Sequence, residues 1–282
     1  MARHLRTVHR PRGVPGLEQV GHDVRSGTLP LLEHSHRGVE ICWLARGAVT
    51  WLAGRRRLHL VGGTISVMSP GTPHRGELDV IAPSDLYWTV LFPAELAPRP
   101  DRAALATLTR AGAWTAQAPE RVGELFAAMT TECARKRPGW RAACGATLSL
   151  LAVECARLAP GAGRRRASSE LPRPVAAAAA LLRADLEHPP SMPQLPRPVG
   201  LGPTRFHAVF KAAVGLTPRD YLARLRVSAA REELAGGAKD ITALAVRLGY
   251  PSGQHFATTF KKHTGLTPTA FRARARKEKE TR

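Results

Sequence analysis

The sequence predicts an α+β chain: a small β-barrel, two helices after it, then an all-α region of two helix-turn-helix units joined by a long helix. Three observations lead there. The first hundred residues hold short β-branched and aromatic runs separated by glycine turns. From Pro119 the apolar period becomes that of an amphipathic helix. One phrase is also written twice, "FKAAVGLTPRDY" from Phe210 and "FKKHTGLTPTAF" from Phe260.

The 282 residues suit two domains, and 44% hydrophobic residues can supply a core to both. No apolar run reaches the ~18 residues of a membrane span. The N-terminus, "MARHLRTVHRPRG", is basic with no apolar segment behind it, so no signal peptide is expected. Cys42, Cys133, Cys144 and Cys155 form no CxxC pair, which argues against a zinc knuckle or a dithiol motif. A reduced, cytoplasmic protein is the simplest expectation. The net charge is +20. Residues 1–163 carry 20 Lys+Arg against 13 Asp+Glu, whereas residues 164–282 carry 22 against 9. A basic C-terminal half points to a polyanion, and nucleic acid is the common one. An Arg-rich composition throughout, 35 Arg to 7 Lys, accounts for part of the excess.

In chain order, "VEICWLARGAVTWLAGRRRLHLVGG" reads as strands with turns at Arg-Gly, Ala-Gly and Gly-Gly, and "TISVMSPGTPH" and "DLYWTVLFP" continue them. Arg55, Arg56 and Arg57 fall in a solvated hairpin turn. Trp43 and Trp51 are core aromatics or pocket wall. Residues 1–118 form this barrel domain. Residues 119–158 form a helical coupling or dimerisation segment. A first helix covers roughly Glu120–Lys136 and is ended by "RPGW". In the second, Trp140, Cys144, Thr147, Leu148, Leu151, Cys155 and Leu158 make one stripe. The eleven-residue spacing of Cys133, Cys144 and Cys155 favours small buried residues on a packed face over a thiol sensor. "APGAGRRRASSE", 159–170, reads as a linker. Residues 171–282 read as helix and turn.

Phe206–Leu225 aligns without gaps to Phe256–Ala275 with nine identities in twenty positions. The two Phe at i and i+4 share one helical face. Gly215 and Gly265 suit the left-handed position that ends a helix. Thr then Pro suits an N-cap followed by N1. Upstream of the second copy, Ile241, Leu244, Ala245 and Leu248 form a short helix face before a turn at Gly249, and the next helix starts near Ser252. Short helix, tight turn and second helix make a helix-turn-helix. The linking helix is "TPRDYLARLRVSAAREELAG". Two reading helices on one frame suit successive major grooves, ~34 Å apart. The first unit departs from the second. Its short helix should lie in "SMPQLPRPVGLG", where Pro196 and Pro198 stand at the positions of Ala245 and Arg247. Proline in a helix interior costs ~3 kcal/mol, so an irregular first unit and an unequal share in reading DNA are expected.

On these motifs, residues 171–275 resemble the DNA-binding domain of AraC/XylS transcriptional regulators. The resemblance implies base-facing positions at Thr204, Arg205, His207 and Ala208 in the first reading helix and at Gln254, His255 and Thr258 in the second. Gln can read adenine bidentately and Thr a thymine methyl. Lys211, Lys261 and Lys262 would meet phosphate. A solvated helix face is the plainer reading of His207 and His255. In the N-terminal half, His34-x-His36, Glu40 and Gly47, then Gly63, Gly71 and His74, look like the two signature motifs of a cupin-like barrel, with Ser69 where the second motif usually has Pro. Three readings of His34, His36, Glu40 and His74 stay open: a divalent metal site of Mn, Fe, Ni or Zn, an effector pocket without metal, and a purely structural cluster.

Together these imply a regulator that binds double-stranded promoter DNA and responds to a small-molecule effector. It would act as a homodimer, with RNA polymerase as a further candidate partner and no required cofactor beyond the metal option. The rival reading is a metal-dependent cupin enzyme with an appended DNA-binding domain. A nucleoid-type binder without effector is a third class.

Overall fold

A computed structural model describes residues 4–110, 112–160, 171–195, 201–238 and 240–280, the side chains of 278–280 excepted. The main division of the chain falls between Leu171 and Pro172, and each compact unit has its own core.

Among the described residues the N-terminal unit has ten strands. They are β1 (His4–His9), β2 (Leu17–Arg25), β3 (Leu29–Pro30), β4 (Val39–Ala53), β5 (Arg56–Val61), β6 (Thr64–Met68), β7 (His74–Gly76), β8 (Val80–Ile81), β9 (Ser84–Leu91) and β10 (Trp114–Gln117). The main sheet runs β1-β2-β9-β4-β6-β10, with β5 and β7 paired to the far half of β4. All these pairs are antiparallel.

Strand β4 organises the barrel. Its first half lies between β9 and β6, and its second half pairs with β5 and β7. The turn expected at Arg46-Gly47 is absent. The strand instead continues through a register shift between Leu44 and Arg46. Gly47 has φ +96°, and a Cβ there would come within 2.7 Å of the Pro83 carbonyl oxygen. A bulge with a glycine bends the strand without ending it, which is how one strand serves two sheets. The other two expected turns, at Gly54 and at Gly62-Gly63, do join β4 to β5 and β5 to β6. Arg55, Arg56 and Arg57 are exposed there, and Arg57 Nε donates to Glu77 Oε1 at 3.1 Å.

Period-two alternation divides β4 between two cores. Ile41 joins a cluster under the helices, and Trp43 packs against it. Cys42, Leu44 and Trp51 face a second cluster inside the barrel with Leu86 and Trp88. The outer helices are α1 (Arg102–Arg110), α2 (Glu120–Arg135) and α3 (Trp140–Leu158). Helix α1 and strand β10 had no clear signal in the sequence. The predicted stripe of α3 is its buried face at Trp140, Cys144, Leu148, Leu151, Cys155 and Leu158, whereas Thr147 is only half-buried and its hydroxyl donates to the Ala143 carbonyl at 2.8 Å. Cys133 belongs to α2, and its sulfur lies 3.5 Å from that of Cys144 across the helix pair. The Cys133–Cys144 interval therefore spans two helices, whereas Cys144 and Cys155 lie on one face of α3, and all three are buried. Of the expected linker 159–170, residues 161–170 lie outside the described residues.

The C-terminal unit contains α4 (Arg173–Ala184), α5 (Pro203–Val214), α6 (Pro218–Gly236), α7 (Ile241–Arg247), α8 (Gly253–Thr264) and α9 (Pro268–Glu280). Its helix ends follow the repeat. Thr217 caps α6 by accepting from Asp220 N at 3.1 Å, and Thr267 accepts from Ala270 N at 3.2 Å at the start of α9. Gly265 ends α8 at φ +80°. Asp240 caps α7 and Ser252 caps α8. Between α7 and α8, Gly249 takes φ +69°, where a side chain would meet the Glu187 carbonyl at 2.5 Å. Ahead of α5, Ser191 and Gln194 close one turn, with Ser191 N donating to Gln194 Oε1 and Gln194 N to the Ser191 carbonyl. Pro196 and Pro198 lie outside the described residues, and with them the predicted irregularity of the first unit.

Candidate functional site

Two candidate sites emerge, one in each unit. In the C-terminal unit the repeat makes two helices with matching inner and outer faces. Phe206 and Phe210 on α5 are fully buried, as are Phe256 and Phe260 on α8. Their ring centroids lie 5.7 and 5.5 Å apart respectively. Each second Phe meets the aromatic that ends the repeat, Phe210 with Tyr221 at 5.7 Å and Phe260 with Phe271 at 5.6 Å. Such pairs contribute about 0.5–1.5 kcal/mol beyond burial, and here they fix how each helix is rotated.

That rotation decides what faces outward. Thr204, Arg205, Ala208 and Lys211 are exposed on α5, and Gln254, His255, Thr258, Lys261 and Lys262 on α8. His207 is half-buried against the edge of the Phe206 ring. The sequence-predicted contact residues thus lie on the outer faces of two helices, with His207 the least accessible. At the C-terminal end of α8, burial and then the charges of Arg224 and Lys262 push the His263 pKa down to about 4.

In the N-terminal unit, His34, His36, Glu40 and His74 come together. One ligand atom from each lies within 4.8 Å of all the others. Backbone pairing makes this local: His34 N donates to the His74 carbonyl at 3.0 Å, and His74 N to that of His34 at 2.9 Å. Glu40 enters from β4 with its side chain turned into the barrel. His34 Nδ1 lies 2.9 Å from the Leu32 carbonyl and His74 Nδ1 2.9 Å from that of Thr72. A carbonyl only accepts, so both Nδ1 atoms carry the proton. The Nε2 lone pairs of the neutral rings are then left for the centre of the cluster. Orienting a ligand ring through its far nitrogen is the usual support of a metal-binding histidine.

His74 Nε2 and Glu40 Oε2 approach to 2.6 Å, and both are buried without a hydrogen bond of good geometry. Two lone pairs at that distance repel unless a proton or a cation lies between them. Burial opposes charge on both groups, but their mutual attraction wins: the His74 pKa is raised and the Glu40 pKa lowered. His36 Nε2 is 3.7 Å from the same oxygen. Three imidazoles and a carboxylate suit a divalent transition ion, so the donor set fits one. Ser69, at the motif's altered position, is structural: its hydroxyl lies within bonding distance of the Leu108 and Gly112 carbonyls, at 3.2 and 3.0 Å.

His34, His36 and Glu40 of the cluster line a cavity of about 350 Å³. Trp51 and Trp88 form part of the cavity wall, whereas Trp43 lies against α2 over Gly123, where a Cβ would come within 2.3 Å of the indole. Arg6, Arg10, Gln19, Asp23 and Arg25 complete the polar lining. These five were not singled out in the sequence. The one signal for them is that Gln19, Asp23 and Arg25 alternate along β2, and alternation there looks like an ordinary solvated strand face.

Comparison with known proteins bears on both units. Residues 28–151 match the family model described as an AraC-like ligand binding domain, and residues 196–274 match that of a helix-turn-helix domain. The chain is 37% identical over 76 residues, 27% of its length, to the bifunctional transcriptional activator/DNA repair enzyme AdaA of Bacillus subtilis. It is 36% identical over 66 residues, 23% of its length, to the HTH-type transcriptional activator RhaS of Escherichia coli. These alignments take in 36% and 24% of the two relatives, so the chain spans about a third or less of either. A solved AraC-type transcriptional regulator from Chromobacterium violaceum is 30% identical over 36% of this chain and 92% of its own, with a TM-score of 0.35. With a ligand-binding model on the barrel and a helix-turn-helix model on the helical unit, the chain belongs to the AraC/XylS family of transcriptional regulators.

Proposed function

We propose that the protein is a one-component regulator of transcription. Its C-terminal unit binds double-stranded promoter DNA through α5 and α8, and its barrel binds a small molecule that sets which DNA-competent arrangement is populated. It acts in the cytoplasm as a homodimer, with α2 and α3 as the pairing or coupling segment and RNA polymerase as a further partner. Among the described residues no helix is long and apolar enough to cross a membrane. The observation that carries the reading is the duplicated reader: two buried phenylalanine pairs, each turning Thr or Gln and a Lys outward. In this reading Thr204, Arg205, His207, Gln254, His255 and Thr258 meet base edges or the groove wall. Lys211, Lys261 and Lys262 neutralise phosphates.

The test is binding of full-length protein to selected DNA over a salt series. Affinity falls steeply with salt, and Lys261→Ala weakens all sequences alike and lowers the salt slope by about one. Salt-dependent binding that is indifferent to sequence would remove the reading and leave a nucleoid-type binder, and no DNA binding at all would leave the enzyme.

The geometry of the His/Glu cluster favours one addition. His34 and His74, through Nε2, together with His36 and Glu40, hold a divalent transition ion, which would supply a Lewis-acidic point for an effector oxygen. Metal analysis of protein purified without added metal, with His34→Ala and His74→Ala as controls, tests this. One ion per chain, lost in both variants, supports it; no ion in any preparation leaves the cluster as a hydrogen-bonding part of the pocket. The enzyme alternative requires such an ion with an open position and turnover of a substrate. We propose the sensor reading because the same fold segment matches a ligand-binding model.

A further inference from the structure

We infer that the effector is a small organic anion, with a carboxylate or phosphonate held by Arg6 and Arg10 and a flat apolar body lying against Trp51 and Trp88. The inference rests on the barrel being a sensor and names what it senses.

The charges around the cavity do not balance. Asp23 is taken up by Arg25, whose Nε and Nη2 both reach it, and by His4 Nε2 at 2.9 Å. Glu40 Oε2 lies 2.6 Å from His74 Nε2 and 3.7 Å from His36 Nε2. Arg6 and Arg10 line the same space, and among the described residues neither has a carboxylate partner. The Arg6 guanidinium lies over the Trp88 ring, 5.3 Å from its centroid. Arg10 Nη2 donates to Gln19 Oε1 at 3.3 Å, a neutral acceptor. Arg6 is also close enough to Arg25 to add to the effect of burial in lowering that guanidinium's pKa, to about 10. Among the lining residues the guanidiniums of Arg6, Arg10 and Arg25 outnumber the carboxylates of Asp23 and Glu40, and an anion offsets that excess on binding. Guanidinium forks match the planar oxygens of a carboxylate or phosphonate. A neutral polyol would leave this excess untouched.

One part of the cavity wall is apolar. Trp51, Ile81, Leu86 and Trp88 line it. Room for the Trp88 indole comes from Gly21 on β2, where a Cβ would approach the ring to 2.3 Å. Trp51 is 4% exposed, and its indole Nε1 is buried without a hydrogen-bond partner. A buried donor of this kind is rarely left unmet, and here it is part of a ligand-sized space. The cavity volume, about 350 Å³, lies at the small end for such sites. Guanidiniums without a carboxylate partner, an aromatic wall and a spare indole donor together describe a small aromatic acid.

The test uses full-length protein and matched probes: benzoate with benzamide, phenylacetate with phenylacetamide, then phenylphosphonate, and inorganic phosphate alone. Tryptophan quenching and thermal shift report binding. In at least one pair the acid should bind ten-fold or more tightly than its amide. Arg6→Gln, an exposed position, should weaken that acid at least five-fold and leave the amide unchanged, with Arg10→Gln as a second variant. A tighter phenylphosphonate assigns a phosphonate-like head group and a tighter phenylacetate a carboxylate, both within the proposal. It is overturned if no acid binds, if amides bind as well as acids, if both variants bind the acid like the parent, or if inorganic phosphate binds as tightly as the aromatic acids. The same samples are titrated with DNA over a salt series. Salt-dependent DNA binding without acid discrimination sinks this inference alone, whereas loss of that DNA binding in the parent protein sinks the regulator reading.

Discussion

The barrel and the helical unit place their polar chemistry on opposite sides of their frameworks. In the barrel, Asp23, Arg25, Glu40 and His74 are buried, Asp23 paired with Arg25 and Glu40 beside His74, and all but His74 line a cavity. In the helical unit the interior is mainly phenylalanine, leucine and alanine with Val227 and Tyr250, and Lys211, Gln254, Thr258 and Lys261 stand outside it. Burying a charge is expensive unless it is paired, so a barrel that does so is specialised to hold something small. A helix whose buried face is wholly apolar leaves its outer face free for a large, charged surface such as DNA. The contrast teaches that inside a folded unit the cost of burial selects for small ligands, while outside it the choice of side chains is unconstrained by packing.

The largest predicted effect tests the apolar side of this contrast. Phe260→Ala should destabilise the helical unit by about 3–5 kcal/mol, as cavity-forming changes of this size do. Urea unfolding of the full chain, followed by the melt of helical signal, measures it. A loss under 1 kcal/mol would mean the phenylalanine pair does not set the frame.

A second test concerns the polar interior. His59 is buried, 7% exposed, with its Nδ1 3.0 Å from Thr50 Oγ1 and its Nε2 without a partner. Burial pushes its pKa down to about 4, with the nearby Glu77 carboxylate opposing. The group is neutral when folded and takes up a proton more readily when unfolded. Its contribution is therefore fully present above pH ~6.5 and is lost as pH falls toward 4, on the order of 3 kcal/mol. Stability curves of parent and His59→Gln should converge over that window. Parallel curves would show that His59 does not titrate as described.

The outer faces give smaller and more selective effects. Gln254→Ala should leave stability alone and cost about 1–3 kcal/mol of discrimination at a single base pair. Unchanged specificity would remove Gln254 from the reading surface. Smallest is the cap: Ser252 accepts from His255 N at 3.1 Å, and Ser252→Ala should cost about 1 kcal/mol of stability. It should also weaken both specific and non-specific DNA binding slightly, because the start of α8 frays. A change confined to one base pair would assign Ser252 a direct contact instead.

Much of this was legible in the linear order of residues. The duplicated phrase marked the helix ends, because a Gly at the C-terminus and Thr-Pro at the next N-terminus act through local backbone geometry. The stripe of α3 was legible for the same reason, since a helix face is set by residues three and four apart. His34, His36, Glu40 and His74 were found through their resemblance to the cupin-like motifs, and the backbone bridge between His34 and His74 then brought them together. Arg46-Gly47 was misread, because a bulge and a turn use the same residues and only the neighbouring strands decide between them. Cys133 and Cys144 likewise took their meaning from the packing of α2 on α3.

The sequence alone determined what depends on near neighbours: helix caps, the paired phenylalanines, the exposed Gln254 and Lys261, and the His/Glu motif. Only the tertiary structure decided that Arg6, Arg10 and Arg25 share a cavity with His34 and Glu40. Those residues come from β1, β2 and β4 and the segments beside them, and their meeting depends on barrel closure. Pairing between distant strands is a matter of register, bulge and twist, and none of these is written in any one stretch of the chain.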